Sequence, residues 1–326
     1  MVQKKGTVDF MTMPLKELFN SVDSYLAEEI LSENSKKLIK GNIFLFWGDC
    51  TVNEFWVENH FCSNNSDFIF KAVNVDEVYD IIVKQEATPF NQYRDVFLKI
   101  LDNCKSEINA ISLEYDYEQY KSNNPIPSIF FEINNECDQE STYSAYKSVL
   151  KNICLYLNFN FKQITDKLDQ LIKKGGSIWQ IGLMFSRPEA LSYIRIFTSP
   201  ILPENRYPLL SFIDSNNKCK ETSYYNNIMN HGRTEILIDF NVDREANIFD
   251  ASVNSSYKDF YEMKIRLRDL VKEGSITNDI YQSLIRWQGR TLLADSNHTL
   301  ILKSLAHFKT KSSVLHDNKV YLKCEI

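Results

Sequence analysis

The order of the chain's periodicities constrains it most. Stretches whose apolar residues alternate come in adjacent pairs, and stretches with the 3.6-residue period of an amphipathic helix stand between those pairs. The alternation predicts strand pairs at Asn42–Trp47 and Glu54–Phe61, Ala110–Tyr117 and Pro127–Ile133, and Ile178–Phe185 and Leu191–Phe197. Two further pairs are Glu235–Val242 with Asn247–Val253, and Leu300–Thr310 with Lys319–Cys324. Helices are predicted over Leu15–Leu31, Val75–Lys84, Asn91–Lys105, Ser141–Leu157, Phe161–Lys174, Tyr207–Asp214, Thr222–Asn230, Tyr257–Lys272 and Asn278–Trp287. Gly175-Gly176 marks a helix C-terminus, because only glycine enters the left-handed region there without cost.

Single strands between helices would indicate a parallel sheet; paired strands indicate antiparallel hairpins. A row of ten antiparallel strands leaves two edges able to pair with other chains, and closing the sheet on itself removes both. The expected fold class is therefore α+β: repeated ααββ units closing into a ten-stranded antiparallel β-barrel surrounded by helices, one domain over residues 1–326.

The alternation also assigns sides. In 111–117, Ile111, Leu113, Tyr115 and Tyr117 oppose Ser112, Glu114 and Asp116; in 236–242, Ile236, Ile238, Phe240 and Val242 oppose Leu237, Asp239 and Asn241. Ile194 and Ile196 oppose Tyr193, Arg195 and Phe197, and Val320 and Leu322 oppose Lys319, Tyr321 and Lys323. The helices can bury their apolar stripes only against the apolar faces. The polar faces are then left to the lumen, which in a barrel of ten strands is too wide to be filled by side chains and makes a ligand cavity. Trp179, Phe185, Phe130 and Trp287 are expected in the core.

Formal net charge is −6, with no run of basic residues, so neither nucleic acid nor an anionic membrane is an expected partner. The seven cysteines (Cys50, Cys62, Cys104, Cys137, Cys154, Cys219 and Cys324) form no CxxC pair. They read as reduced thiols of a cytoplasmic protein rather than a disulfide framework or a zinc site. Met1–Asp9 is polar and lacks the apolar core of a signal peptide, and no apolar run is long enough to span a bilayer.

The closing hairpin, Ala306-His307-Phe308-Lys309 followed by Lys319-Val320-Tyr321-Leu322-Lys323, resembles the closing strands of the ABBA-fold aromatic prenyltransferases. The order of five strand pairs and intervening helix pairs resembles that family over nearly the whole chain. Leu113-Glu114-Tyr115-Asp116 and Pro127-Ser128-Ile129-Phe130 are also similar to stretches of bacterial proteins found near modified-peptide gene clusters. The resemblance implies a barrel that holds its substrates in the lumen and moves a prenyl group from an allylic diphosphate to an aromatic small molecule or a ribosomal-peptide side chain.

Without a metal, a leaving diphosphate must be neutralised by cationic side chains. On the predicted inward faces these are Arg195, Lys309, Lys319 and Lys323, with Tyr193 and Tyr321 beside them to shield an allylic cation. Glu114 is the candidate base, or else a structural carboxylate paired with an inward cation; Asp116 and Asp239 read more readily as such partners. Gln180, Met184, Asp239 and His307 are expected to line the acceptor pocket. The chain lacks a DDxxD motif, so the magnesium-dependent isoprenoid-synthase mechanism is not expected. The expectation is no metal site and no cofactor beyond the diphosphate co-substrate. Two other readings keep the barrel: a peptide-tailoring cyclase or maturation enzyme, favoured by a cavity without a cationic cluster, and a non-catalytic binding or immunity protein, favoured by a lumen blocked by side chains.

Overall fold

The computed structural model describes residues 12–60, 65–84, 91–122, 125–134, 139–187, 189, 191–216, 235–256, 260–274, 276–287, 290–293, 299–311 and 319–326. Ten strands form the barrel: β1 (Thr51–His60), β2 (Ser66–Ala72), β3 (Ile108–Tyr115), β4 (Ser128–Ile133), β5 (Ile178–Leu183), β6 (Tyr193–Thr198), β7 (Glu235–Asp243), β8 (Ile248–Ser256), β9 (Thr299–Lys311) and β10 (Lys319–Glu325). Neighbours run antiparallel in the order β1-β10-β9-β8-β7-β6-β5-β4-β3-β2, and β2 pairs in turn with β1, so each strand has two partners and the ring has no edge. A two-residue strand, Met13–Pro14, adds to β1, and Arg290–Leu293 adds to β9.

The core lies between the barrel and the helices. Outward residues of the strands, among them Phe55, Val57, Phe68, Phe70, Ile111, Leu113, Ile129, Phe131, Ile194, Ile196, Ile236 and Ile238, form one cluster with the apolar stripes of the helices. Leu15, Leu18, Phe19 and Val22 come from helix Leu15–Val22, and Ile164, Leu168 and Leu171 from helix Phe161–Lys173. The second of these is capped at both ends. Asn160 Oδ1 accepts from the Gln163 amide at 3.1 Å. At the other end Gly176 N donates to Leu171 O and Gly175 N to Ile172 O, with Gly175 at φ 86°. Among the described residues no helix is long and apolar enough to cross a membrane.

The first strand pair differs from expectation. Asn42–Trp47 is helical, within the π-turn Ile39–Ile43 and the short helix Phe44–Trp47, and the partner of β1 is Ser66–Ala72. A short continuous apolar run does not distinguish strand from buried helix. Here the buried residues Ile39, Ile43 and Trp47 recur every fourth position while Leu45 is 72% exposed, which is a helical pattern. In Ser66–Ala72 the apolar Ile69 on the inward face obscured the alternation of Phe68, Phe70 and Ala72. The helix predicted over Leu15–Leu31 is shorter, ending at Val22 before a 3-10 turn at Asp23–Tyr25. Thr222–Asn230 lies outside the described residues.

Candidate functional site

Alternate residues of the strands project into the barrel and enclose a cavity of about 90 Å³. Its carboxylate side is made by Glu54 and Glu58 of β1 and Glu114 of β3. Trp56, Phe130, Trp179 and Phe197 give it aromatic faces, and Arg187 and Arg195 give it guanidinium groups. Gln180 and Met184 also line it. Phe130, Met184 and Tyr193 form a small apolar cluster of their own, with Phe197 and Phe249 against it. It is separate from the large core, because the barrel wall stands between them. Trp179 and Phe130 are therefore lumen residues, contrary to their expected place in the core. Phe185 and Trp287 do belong to the core.

The lumen's charges are arranged in pairs. Arg195, whose side chain is 2% exposed, reaches from β6 to β7, where its Nη2 pairs with Asp239 Oδ2 and its Nη1 donates to Asn241 Oδ1 at 3.2 Å. Asp250 Oδ2 of β8 lies 3.6 Å from Nη1. Asp239 also accepts from Ser252 Oγ, and from Asn254 Nδ2 at 2.8 Å. Burial works most strongly against the Arg195 charge, but Asp239 and Asp250 together outweigh it and hold the guanidinium above the ordinary arginine range. Asp239, expected in the acceptor pocket, is fully buried in this network and is not part of the cavity wall.

Lys323 of β10 pairs with Glu54, and with Glu325 at 2.8 Å, and its Nζ lies 4.9 Å from the centre of the Trp56 ring. Lys71 of β2 pairs with Glu132 of β4 at 2.8 Å. Arg195 and Lys323 thus each have carboxylate partners of their own. The side chains of Lys309, Lys319, Tyr321 and His307 lie outside the described residues. Their strands put Lys309 in register with both Lys319 and Asn254, and Tyr321 in register with Glu58.

Three carboxylates converge at one end of the lumen. Glu58, Asp67 and Glu114, all buried, bring ligand oxygens within 4.8 Å of one another. His60 Nε2 lies 2.8 Å from Asp67 Oδ2, and Asp67 Oδ1 accepts from the Tyr117 amide at 2.8 Å. Hard oxygen donors at this spacing are of the type that divalent cations take. Arg187 stands over the same end, its Nη2 3.5 Å from Glu114 Oε1 and 3.4 Å from Asp116 Oδ1. Asp116 is held from the other side by Ser186 Oγ, which donates to Oδ2 at 2.6 Å; Ser186 is in turn 2.5 Å from Ser128 Oγ.

The sequence reading missed Arg187, Trp56, Glu54 and Glu58. The β1 residues had a signal: Glu54, Trp56 and Glu58 alternate with the outward Phe55 and Val57. Arg187 had none, since it sits in the turn after β5, where period-two alternation has stopped.

No family model and no curated protein matches this chain. Among solved structures it is similar to the crystal structure of AnaPT from Neosartorya fischeri, an ABBA-fold aromatic prenyltransferase, at a TM-score of 0.52 and 8% identity over 96% of this chain and 91% of that one. The fold is the ABBA prenyltransferase barrel, as the order of strand and helix pairs implied.

Proposed function

We propose that the protein is a metal-independent prenyltransferase, moving a prenyl group from an allylic diphosphate to an aromatic small molecule or a ribosomal-peptide side chain. The observation that supports this is the cavity of the ABBA barrel, in which a buried carboxylate, aromatic faces and guanidinium groups border one space. The bond between the allylic carbon and its diphosphate oxygen breaks and the diphosphate leaves with the electron pair. Tyr193 and its aromatic neighbours shield the cation through their π-faces. The acceptor's electron pair forms the new bond to the allylic carbon, and its proton passes to the Glu114 carboxylate. Inorganic diphosphate and the prenylated acceptor are the products.

The test is incubation with dimethylallyl or geranyl diphosphate and phenol-, indole- or peptide-bearing acceptors, read by mass spectrometry, with EDTA in one arm and magnesium in another. A prenyl mass increment that survives EDTA is expected. An increment seen only with magnesium overturns the metal-independent part and directs attention to Glu58, Asp67 and Glu114. No increment with any acceptor, together with no thermal stabilisation by either diphosphate, overturns the proposal.

A second reading, a peptide-tailoring cyclase or maturation enzyme on the same fold, is favoured by one observation: Arg195 and Lys323 are engaged by the protein's own carboxylates rather than left for a diphosphate. It predicts no increment in either arm.

A further inference from the structure

Outside the barrel, helices Phe260–Lys272 and Asn278–Trp287 pack against each other and leave between them a surface groove of about 430 Å³. Along one wall stand Lys264, Arg268 and Lys272. The floor is largely apolar, with Val271 from the first helix and Tyr281 and Ile285 from the second. Among the described residues no acid lines the groove, in a chain whose net charge is −6. The helical period makes this segregation. At 3.6 residues per turn, residues 264, 268 and 272 share one stripe, while Glu262, Asp269 and Glu273 fall on the flank beside it. On that flank Glu273 takes Arg266 at 3.1 Å. Lys272 reaches Asp269 at 3.2 Å, but its side chain is 77% exposed, and so open a pair contributes little.

Arg268 is held differently. Its Nε donates to the Tyr281 hydroxyl at 3.2 Å, which sets the guanidinium against the groove. Among the described residues its two Nη groups have no hydrogen-bond or ion-pair partner. A fork fixed at Nε and open at Nη is ready to take a carboxylate with little further ordering. Tyr261 and Ile265, 70% and 43% exposed, continue the face one turn further along the first helix. Exposed tyrosine beside arginine is a composition enriched at protein interfaces.

We propose that this groove binds an extended acidic peptide segment of a partner protein, one whose carboxylates alternate with apolar side chains. Charge and spacing select this occupant. Steps of four residues along a helix place the three cations about 6 Å apart. Alternate side chains of an extended chain lie about 6.6–6.8 Å apart. Carboxylates at every second position can therefore each meet one cation, and the residues between them turn toward Tyr281 and Ile285. Because the groove lies outside the barrel, its occupancy does not depend on the chemistry of the lumen.

The experiment is fluorescence anisotropy of the full chain with three fluorescein-labelled heptapeptides. One alternates glutamate and leucine, one has the same composition with its glutamates contiguous, and one alternates lysine and leucine. Wild type is expected to bind the first at least about tenfold more tightly than either of the others, a difference of roughly 1.4 kcal/mol. Raising salt from 50 to 300 mM should weaken that binding. The double variant Lys264→Glu, Lys272→Glu should lose at least tenfold in affinity. The milder Lys264→Gln, Lys272→Gln pair should lose several-fold, and it keeps the test valid if charge reversal disturbs the helix, which thermal unfolding reports. Arg268→Lys, which keeps the charge but not the fork, should bind more weakly than wild type. Equal binding of the two glutamate peptides, or affinity unchanged in both double variants, overturns the inference. Binding to phosphatidylserine vesicles with none to any peptide also overturns it and assigns the face to a membrane.

Discussion

Arg195 can be tested as a strut of the barrel wall rather than a ligand for diphosphate. The perturbation is a double-mutant cycle on Arg195→Met and Asp239→Asn. Asp239→Asn leaves the guanidinium buried, with Asn241 at 3.2 Å and Asp250 at 3.6 Å as its remaining partners. Breaking a buried pair from one side costs about 3–5 kcal/mol, and the residual attraction of Asp250 sets the expectation at the lower end, about 3 kcal/mol. Arg195→Met leaves Asp239 with Ser252 and Asn254 as donors and should cost a similar amount. The double variant keeps neither fully buried charge of the pair, and its asparagine can still accept from Ser252 and Asn254. Its cost should therefore fall short of the sum of the singles by at least about 2 kcal/mol. With an unfolding entropy of about 2.1 cal/mol/K per residue over 326 residues, 3 kcal/mol corresponds to roughly 4 °C in Tm. Urea unfolding followed by both tryptophan fluorescence and far-ultraviolet circular dichroism measures all four corners. Singles that each cost under about 1 kcal/mol and add in the double would refute the strut, and would return Arg195 to the set of cations available to a ligand.

Three further outcomes follow from the same lumen and its wall. A Cβ at Gly182 would lie 2.5 Å from Phe130 Cδ1 and Cε1, so Gly182→Ala must tip that ring off the wall and break its edge contact with Phe197, whose centroid is 5.5 Å away. The expected cost is about 1–3 kcal/mol by thermal unfolding, with binding of geranyl diphosphate reduced more than that of dimethylallyl diphosphate; equal loss for both would show that Phe130 does not bound the site. Burial lowers the Lys323 pKa, but Glu54 and Glu325 more than offset this and raise it above the ordinary lysine value. Its pairing therefore stabilises the fold fully below about pH 10.4, the unfolded lysine value, and the stability is lost as pH rises through the higher folded value. The stability gap between wild type and Lys323→Met should stay level from neutral pH to about 10 and shrink above it; a gap already shrinking near pH 8 would contradict the pairing. Burial pushes the thiols of Cys104, Cys154 and Cys324 up to about 12. Mass-mapped labelling with a thiol reagent at pH 8 should leave these three unmodified in the native protein and modify them in urea.

Much of the fold was legible because one physical rule governs both faces of a barrel strand. Side chains alternate, the helices claim the apolar face, and whatever is left points inward. Ile236, Ile238 and Phe240 in the core and Leu237 on the cavity wall follow from that rule alone. It failed where alternation was ambiguous. The apolar run Ile43–Trp47 has no polar positions to mark a period, and Ser66–Ala72 carries Ile69 among its inward residues. It also misjudged Phe130 and Trp179, since large aromatics are read as core whenever a core is the only apolar place considered.

The site was less legible, and for a different reason. Alternation says which residues enter the lumen but not which of them meet. Arg195 and Asp239 were both assigned inward, one as a diphosphate ligand and one as part of the acceptor pocket, although β6 and β7 are neighbours. In register, Arg195 stands opposite Asn241 and Phe197 opposite Asp239, so a guanidinium on one strand has its counter-charge one diagonal step away on the next. Buried charges demand such partners. The same demand brings Lys323 to Glu54 and Lys71 to Glu132. A cation free to bind substrate is therefore to be sought where the register ends, because a strand no longer fixes its partner there. Arg187, in the turn beyond β5, stands where the register has ended: Asp116 and Glu114 lie 3.4 and 3.5 Å from its Nη2, and both acids sit at or just past the end of β3. Pairing between neighbouring strands makes the wall, and the turn at its mouth holds a cation whose partners the strand register does not set.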